Sequence, residues 1–132
     1  MGKRLLLSVG DIMRKGRENP IVKEETKVKT ALLSITRARA GSASVVDRKG
    51  RLKGIFTDGD LRRLSQTRED FLNLPVTEVM GHRPHTIELS TLASAALARM
   101  EEHAITQLVV TDAKEVPVGV IHLHDLLKAG IV

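Results

Sequence analysis

Gly54-Ile55-Phe56-Thr57-Asp58-Gly59-Asp60-Leu61 and Gly119-Val120-Ile121-His122-Leu123-His124-Asp125-Leu126 are the two stretches on which the fold turns. Each runs from a glycine through apolar residues to an acid six positions on, at a constant offset of 65 (119 minus 54). The offset holds over residues 26–61 and 91–126: Thr26 meets Thr91, Ala31 meets Ala96, Leu32 meets Leu97, Val45 meets Val110 and Asp47 meets Asp112. Upstream, Val9-Gly10-Asp11-Ile12-Met13 resembles Val76-Thr77-Glu78-Val79-Met80 at an offset of 67, since the first copy carries a longer stretch before Pro20 than the second before Pro84. Self-similarity of this kind reads as a tandem duplication.

Period and punctuation give each copy the same order of elements. In the first, a short helix around Ser8–Arg14 precedes an extended segment at Pro20–Val22, because the residue before a proline is pushed out of the helical region. Val28, Ala31, Leu32, Ile35 and Ala38 then recur at helical spacing, predicting a helix from about Thr26 to Ala40, stopped at Gly41. Strands at about Ser44–Val46 and Leu52–Phe56 flank the turn Asp47-Arg48-Lys49-Gly50, and Asp58–Ser65 reads as helix. The second copy predicts a helix at about Leu92–Ala104, strands at about Gln107–Thr111 and Val118–Ile121, and a last helix at about Leu123–Ala129. A single copy has too little sheet to stand alone, so the expected fold is α+β, two units packed sheet to sheet around a pseudo-twofold axis. The boundaries expected are 1–7 as linker, 8–66 as the first repeat and 75–132 as the second.

Composition narrows the function. The 132 residues hold 42% hydrophobic and 28% charged residues, enough to bury an ordinary core. Without cysteine there is no disulfide, thiolate nucleophile or Cys-containing zinc site. No apolar run approaches the roughly 18 residues of a membrane span, and the amino-terminal residues lack a signal peptide's pattern, so a cytoplasmic location is expected. Phe56 and Phe71 are the only aromatics of the Phe, Tyr and Trp class, which argues against the stacking surfaces of single-strand nucleic-acid binders despite the net charge of +5. Divided at residue 66, that charge is uneven: 16 Lys+Arg against 7 Asp+Glu, or +9, precede the division, and 5 against 9, or −4, follow it. An anion is therefore expected to favour the first copy.

The junctions themselves allow two readings. Thr57-x-x-Asp60 has the spacing of a capping box, in which hydroxyl and carboxylate satisfy backbone N–H groups at a helix start. Alternatively, an acid beside a helix N-terminus can accept hydrogen bonds from ribose hydroxyls while the helix start holds a phosphate. His122 is a poor N-cap by residue type, so the retained Asp125 favours the second reading.

The paired junctions, each after a helix-strand-strand unit opened by Asp11-Ile12-Met13 or Glu78-Val79-Met80, resemble a tandem CBS (cystathionine β-synthase) domain pair. More narrowly, Gly2-Lys3-Arg4-Leu5-Leu6-Leu7, Gly54–Arg63 and His122–Gly130 resemble the regulatory half of bacterial arabinose 5-phosphate isomerases. In that family a sugar isomerase (SIS) domain precedes the CBS pair and acts in synthesis of the lipopolysaccharide sugar Kdo. The resemblance implies that this chain is a non-catalytic regulatory module, with the SIS domain as its partner in cis and a homodimer as its assembly. It implies no required cofactor, and a nucleotide or nucleotide sugar as ligand, either CMP-Kdo or an adenine nucleotide. It also implies site residues: Thr57 and Asp60 in one cleft and His122 and Asp125 in the other for phosphate and ribose, with base contacts near Ile21, Ala43, Thr86 and Gln107. Arg62 and Arg63, one turn into the junction helix, are candidates for phosphate.

Other constellations carry less. His82-x-x-His85 and His122-x-His124 lack the further ligands of a zinc site, so no metal is expected. Met13 and Met80, at matching places, read as packing against the sheets. Nothing in the spacing selects a serine for a Ser-His-Asp triad. Two further functions stay open: an oligomerisation module without a small ligand, and a basic nucleic-acid-binding module.

Overall fold

In the computed structural model, residues 6–131 are described; most of the expected linker, 1–7, lies outside them. The elements run α1 (Val9–Ile12), β1 (Ile21–Lys23), α2 (Val28–Ala38), β2 (Ser42–Val46), β3 (Leu52–Thr57), α3 (Asp58–Thr67), β4 (Gly81–His82), β5 (Thr86–Glu88), α4 (Ala93–His103), β6 (Gln107–Thr111), β7 (Pro117–His122) and α5 (Leu123–Lys128). Single 3-10 turns occupy Gly16–Glu18, Phe71–Asn73 and Val76–Glu78. No helix among the described residues is long and apolar enough to cross a membrane.

The chain divides into two compact units whose borders do not follow the repeats. One is Gly16–Pro84; the other joins the described residues 6–15 with 85–131. The segment that opens each copy in sequence thus belongs to the other copy's unit. Backbone chemistry explains why it docks there. Neither α2 nor α4 has a side-chain N-cap, Lys27 and Leu92 standing at the cap positions. Their first N–H groups are satisfied instead by the exchanged segment: Val28 N donates to the Leu74 carbonyl at 2.9 Å, and Ala93 N to the Leu7 carbonyl at 2.9 Å. Val76 N to the Thr26 carbonyl and Val9 N to the Thr91 carbonyl, both 2.7 Å, complete the same join in each unit.

In the Gly16–Pro84 unit the sheet order is β1-β2-β3-β4, with β1 parallel to β2 and the other pairs antiparallel. Val28, Ala31 and Ile35, at helical spacing on α2, pack with Val22, Val45 and Phe56 and with Val76 and Met80 of the exchanged segment. In the other unit β5 is parallel to β6, and β6 antiparallel to β7. There Ala93, Ala96 and Met100 of α4 pack with Leu108, Val110, Ile121 and Leu126, and with Val9 of α1.

Met13 and Met80 do pack against the sheets, and they account for the matching glycines. A Cβ on Gly119 would lie 2.5 Å from Met13 Sδ and 2.8 Å from the Arg14 carbonyl oxygen. One on Gly54 would meet Met80 Sδ and lie 2.7 Å from the Gly81 oxygen. One expectation is corrected. The long helix of the first copy stops not at Gly41 but at Arg39, in the left-handed region at φ 53°, and Ala104 holds the same place and φ in the second copy. In each case the cap N–H returns to the last turn, to the Ile35 and Thr36 carbonyls for Arg39, so the hydrogen bonds of a C-terminal cap form without glycine.

Candidate functional site

The ten residues nominated for ligand contact fall into two groups, one per unit. In the Gly16–Pro84 unit, Thr57 ends β3 opposite Ser42, the first residue of β2, and Ile21 lies opposite Ser44. Ala43, between them on β2, is 1% exposed and packs in the core, so only its backbone is available to a ligand. Arg62 and Arg63 are exposed on α3. In the other unit, Gln107 opens β6 opposite His122, and Thr86 opens β5 opposite Val109. Thr86 is tied down through its carbonyl, which accepts from Arg99 Nη1 at 2.5 Å.

At the first junction the capping box forms in full. Thr57 Oγ1 accepts from Asp60 N at 3.1 Å, and Asp60 Oδ2 accepts from Thr57 N at 2.9 Å. The other carboxylate oxygen, Oδ1, accepts from Arg63 Nη2 at 2.5 Å, a pair within one helix whose arginine is 73% exposed. The Asp60 carboxylate is itself only 17% exposed, so the difference from a buried pair lies in the arginine, which stands in water and is held by a single contact. A ligand hydroxyl can replace Arg63 while Oδ2 stays with the helix start. The box alone does not mark a binding site, because Ser8 and Asp11 form the same reciprocal pair at α1.

The second junction corrects two expectations. His122 does cap its helix: its Nδ1 accepts from His124 N at 3.1 Å, while Asp125 Oδ2 accepts from His122 N at 2.9 Å. An accepting Nδ1 fixes the neutral tautomer with its proton on Nε2. Burial, with the Arg14 cation second, holds the His122 pKa below the ordinary histidine value despite the opposing pull of Asp125. The imidazole is therefore neutral near pH 7 and brings no positive charge to a phosphate. Asp125, in turn, is not an acid without its cap partner, and it has a second partner besides. Arg14 Nε lies 3.1 Å from both of its oxygens, with the two side chains only 26% and 13% exposed.

Arg14 is the residue that sequence reasoning missed. It sits 111 positions from Asp125, and its backbone is held beside β7 by Arg14 N to the Val120 carbonyl at 2.8 Å and Val120 N to the Arg14 carbonyl at 3.0 Å. At the offset of 67 its counterpart is Gly81, so that position supplies no cation to Asp60. The far flank of Asp125 faces a hollow of 390 Å³ that also presents Asp11 and Lys128. Among the described residues no group of three or more His, Asp or Glu side chains could hold a metal ion.

Comparison with known proteins fits this geometry. The family pattern described as CBS domain matches residues 9–66 and again 76–131. The chain is a tandem pair of CBS domains. Over 131 residues it is 43% identical to the arabinose 5-phosphate isomerase KdsD of Pseudomonas aeruginosa, covering 99% of this chain and 40% of the relative. The Yersinia pestis KdsD is 42% identical over 132 residues, with 40% of its length covered. The CBS pair thus spans about two-fifths of the curated relatives it matches. Among solved structures, the CBS domain pair of protein MJ0100, in complex with 5'-methylthioadenosine and S-adenosyl-L-methionine, matches with a TM-score of 0.84 at 19% identity, covering 96% of this chain and 99% of that one. CBSX2, in complex with AMP, matches with a TM-score of 0.78 at 24% identity over 94% and 96%.

Proposed function

We propose that this CBS pair is a regulatory module that takes a nucleotide or nucleotide sugar at the Thr57–Asp60 junction and biases a sugar-phosphate isomerase domain attached in cis. The observation that carries the reading is the state of Asp60. Its Oδ2 is fixed by the helix start, whereas its Oδ1 is held only by the exposed Arg63. A ribose diol donates to Oδ1, and the displaced Arg63 turns to the phosphate, which Thr57 Oγ1 and the first N–H groups of α3 also meet. Backbone at Ile21 and Ala43 borders the base, on strands ending beside Thr57. The Asp125 junction takes ligand more weakly, because Arg14 must first be displaced from a largely buried pair.

The relatives' isomerase activity supports the attached domain, and the adenosine compounds bound by CBSX2 (AMP) and MJ0100 (5'-methylthioadenosine and S-adenosyl-L-methionine) support an adenine ligand. CMP-Kdo is the second candidate, as the activated product of the Kdo route that the resemblance to arabinose 5-phosphate isomerases implies. Binding regulates only where the ligand's affinity differs between two states of the isomerase. The module is further proposed to be cytoplasmic and to self-associate as a homodimer, which sedimentation over a concentration series checks. For the ligand, a melting experiment with AMP, ATP, S-adenosylmethionine, CMP and CMP-Kdo decides. A ligand at about one hundred times its Kd adds roughly 2.7 kcal/mol of stability, and hence a clear rise in Tm. No rise with any of the five would overturn the reading.

A further inference from the structure

The two units differ at one more place, at the start of the strand that opens each sheet. In the unit that continues from His85, the space between the start of β5 and the last turn of α4 is filled. His85 and His103 stack there with ring centroids 4.0 Å apart and planes at 21°, and Arg99 reaches across to the Thr86 carbonyl. At the offset of 65, His85, Arg99 and His103 answer to Pro20, Ser34 and Ala38. All three replacements are smaller. Where they stand, the Gly16–Pro84 unit has an open hollow of 350 Å³.

Charge differs as well as volume, at one position. Two arginines line the hollow, Arg17 from the 3-10 turn before β1 and Arg37 from the last turn of α2. The residue answering to Arg37 in the other copy is Glu102. No acidic side chain lines the hollow, and among the described residues neither arginine has an ion-pair partner. Ser34 Oγ donates to the Thr30 carbonyl at 3.4 Å, which leaves its oxygen free to accept. Pro20, Ile21 and Ala38 supply an apolar wall.

We infer that this hollow is a second ligand site, for a small phosphate ester: Arg17 and Arg37 hold the phosphate and the Pro20–Ile21–Ala38 wall covers the carbon skeleton. Guanidinium groups match phosphate oxygens in pairs, and the volume falls within the roughly 300–1,000 Å³ of small-molecule pockets. Neither Thr57 nor Asp60 lines the hollow; Ile21 is shared with the base contacts of the proposed nucleotide site, through its backbone there and its side chain here, so the two sites are separated by their phosphate-holding residues.

The test is an amide chemical-shift titration of the whole chain with inorganic pyrophosphate and glycerol 3-phosphate, at fixed ionic strength, with glycerol as the uncharged control. Saturable shifts around residues 16–21 and 34–38 are expected with the phosphates and not with glycerol. Arg37→Glu, which installs the other copy's charge, weakens binding about tenfold or more. Ala38→His and, as a second filling variant, Ser34→Gln abolish it while keeping both arginines, with folding read from the same spectra. Asp60→Ala leaves it unchanged. No saturable shift in the parent, retention by both filling variants, or loss in Asp60→Ala, which would put the phosphate at the start of α3, each overturns the inference.

Discussion

Asp60 and Asp125 occupy the same place in two copies of one plan, yet their surroundings differ. Both carboxylates close a capping box at the end of a hairpin. Asp60 spends its second oxygen on a 73% exposed arginine of its own helix; Asp125 is clamped through both oxygens by an arginine from another element. The cap residue differs in the same sense, a hydroxyl at Thr57 against a neutral imidazole at His122. Duplication kept the scaffold and changed the partners: the Asp60 carboxylate pairs within its own helix, whereas the Asp125 carboxylate pairs with Arg14, just past α1.

The largest expected effect falls on what the copies share. Gly54→Ala and Gly119→Ala each drive a methyl into a methionine and a carbonyl oxygen of the exchanged segment, and should cost about 3 kcal/mol alike, read by urea denaturation. If only one is costly, the two units are not built on one plan. Next comes the ligand. Asp60→Ala should weaken nucleotide affinity by about ten- to one-hundredfold, the range for hydrogen bonds to a charged group, while Asp125→Ala changes it by less than about threefold; calorimetry checks both. Equal losses would erase the difference claimed between the junctions.

Arg14→Ala should cost about 1–2 kcal/mol, between the values for exposed and buried ion pairs. It should also raise the His122 pKa, because the cation that opposes protonation is gone while Asp125 remains. For the parent the sign follows from the lowered value. The folded state resists protonating His122, so stability is lost as pH falls below the ordinary histidine range toward the folded pKa. An imidazole titration by NMR gives both numbers, and an unchanged His122 pKa in Arg14→Ala would remove Arg14 from the account. The smallest effect is Ala104→Gly, which relieves a left-handed φ and should stabilise by up to about 1 kcal/mol.

Much of this was legible in the chain, and what was not has a physical reason. The offset of 65 carries the helix-strand-strand order because each element depends on local spacing, and Thr57-x-x-Asp60 announces its box for the same reason. Repetition, by contrast, cannot say which copy's opening segment caps which helix: Leu7 and Leu74 are interchangeable in pattern, and only the folded chain shows where their carbonyls go. Arg14 had no local signal, since its partner is 111 residues away. Gly41 looked like a helix stop by composition, but the hydrogen bonds of the last turn put the left-handed residue at Arg39. His122 looked like a poor cap by residue type, although its Nδ1 has the reach of a hydroxyl.

The central claim is tested most directly by calorimetric titration of CMP-Kdo and of AMP into the parent chain, Asp60→Ala and Asp125→Ala. The account predicts that at least one of the two ligands binds the parent, that Asp60→Ala loses this binding and that Asp125→Ala keeps it. Binding that survives Asp60→Ala and is lost in Asp125→Ala would contradict it.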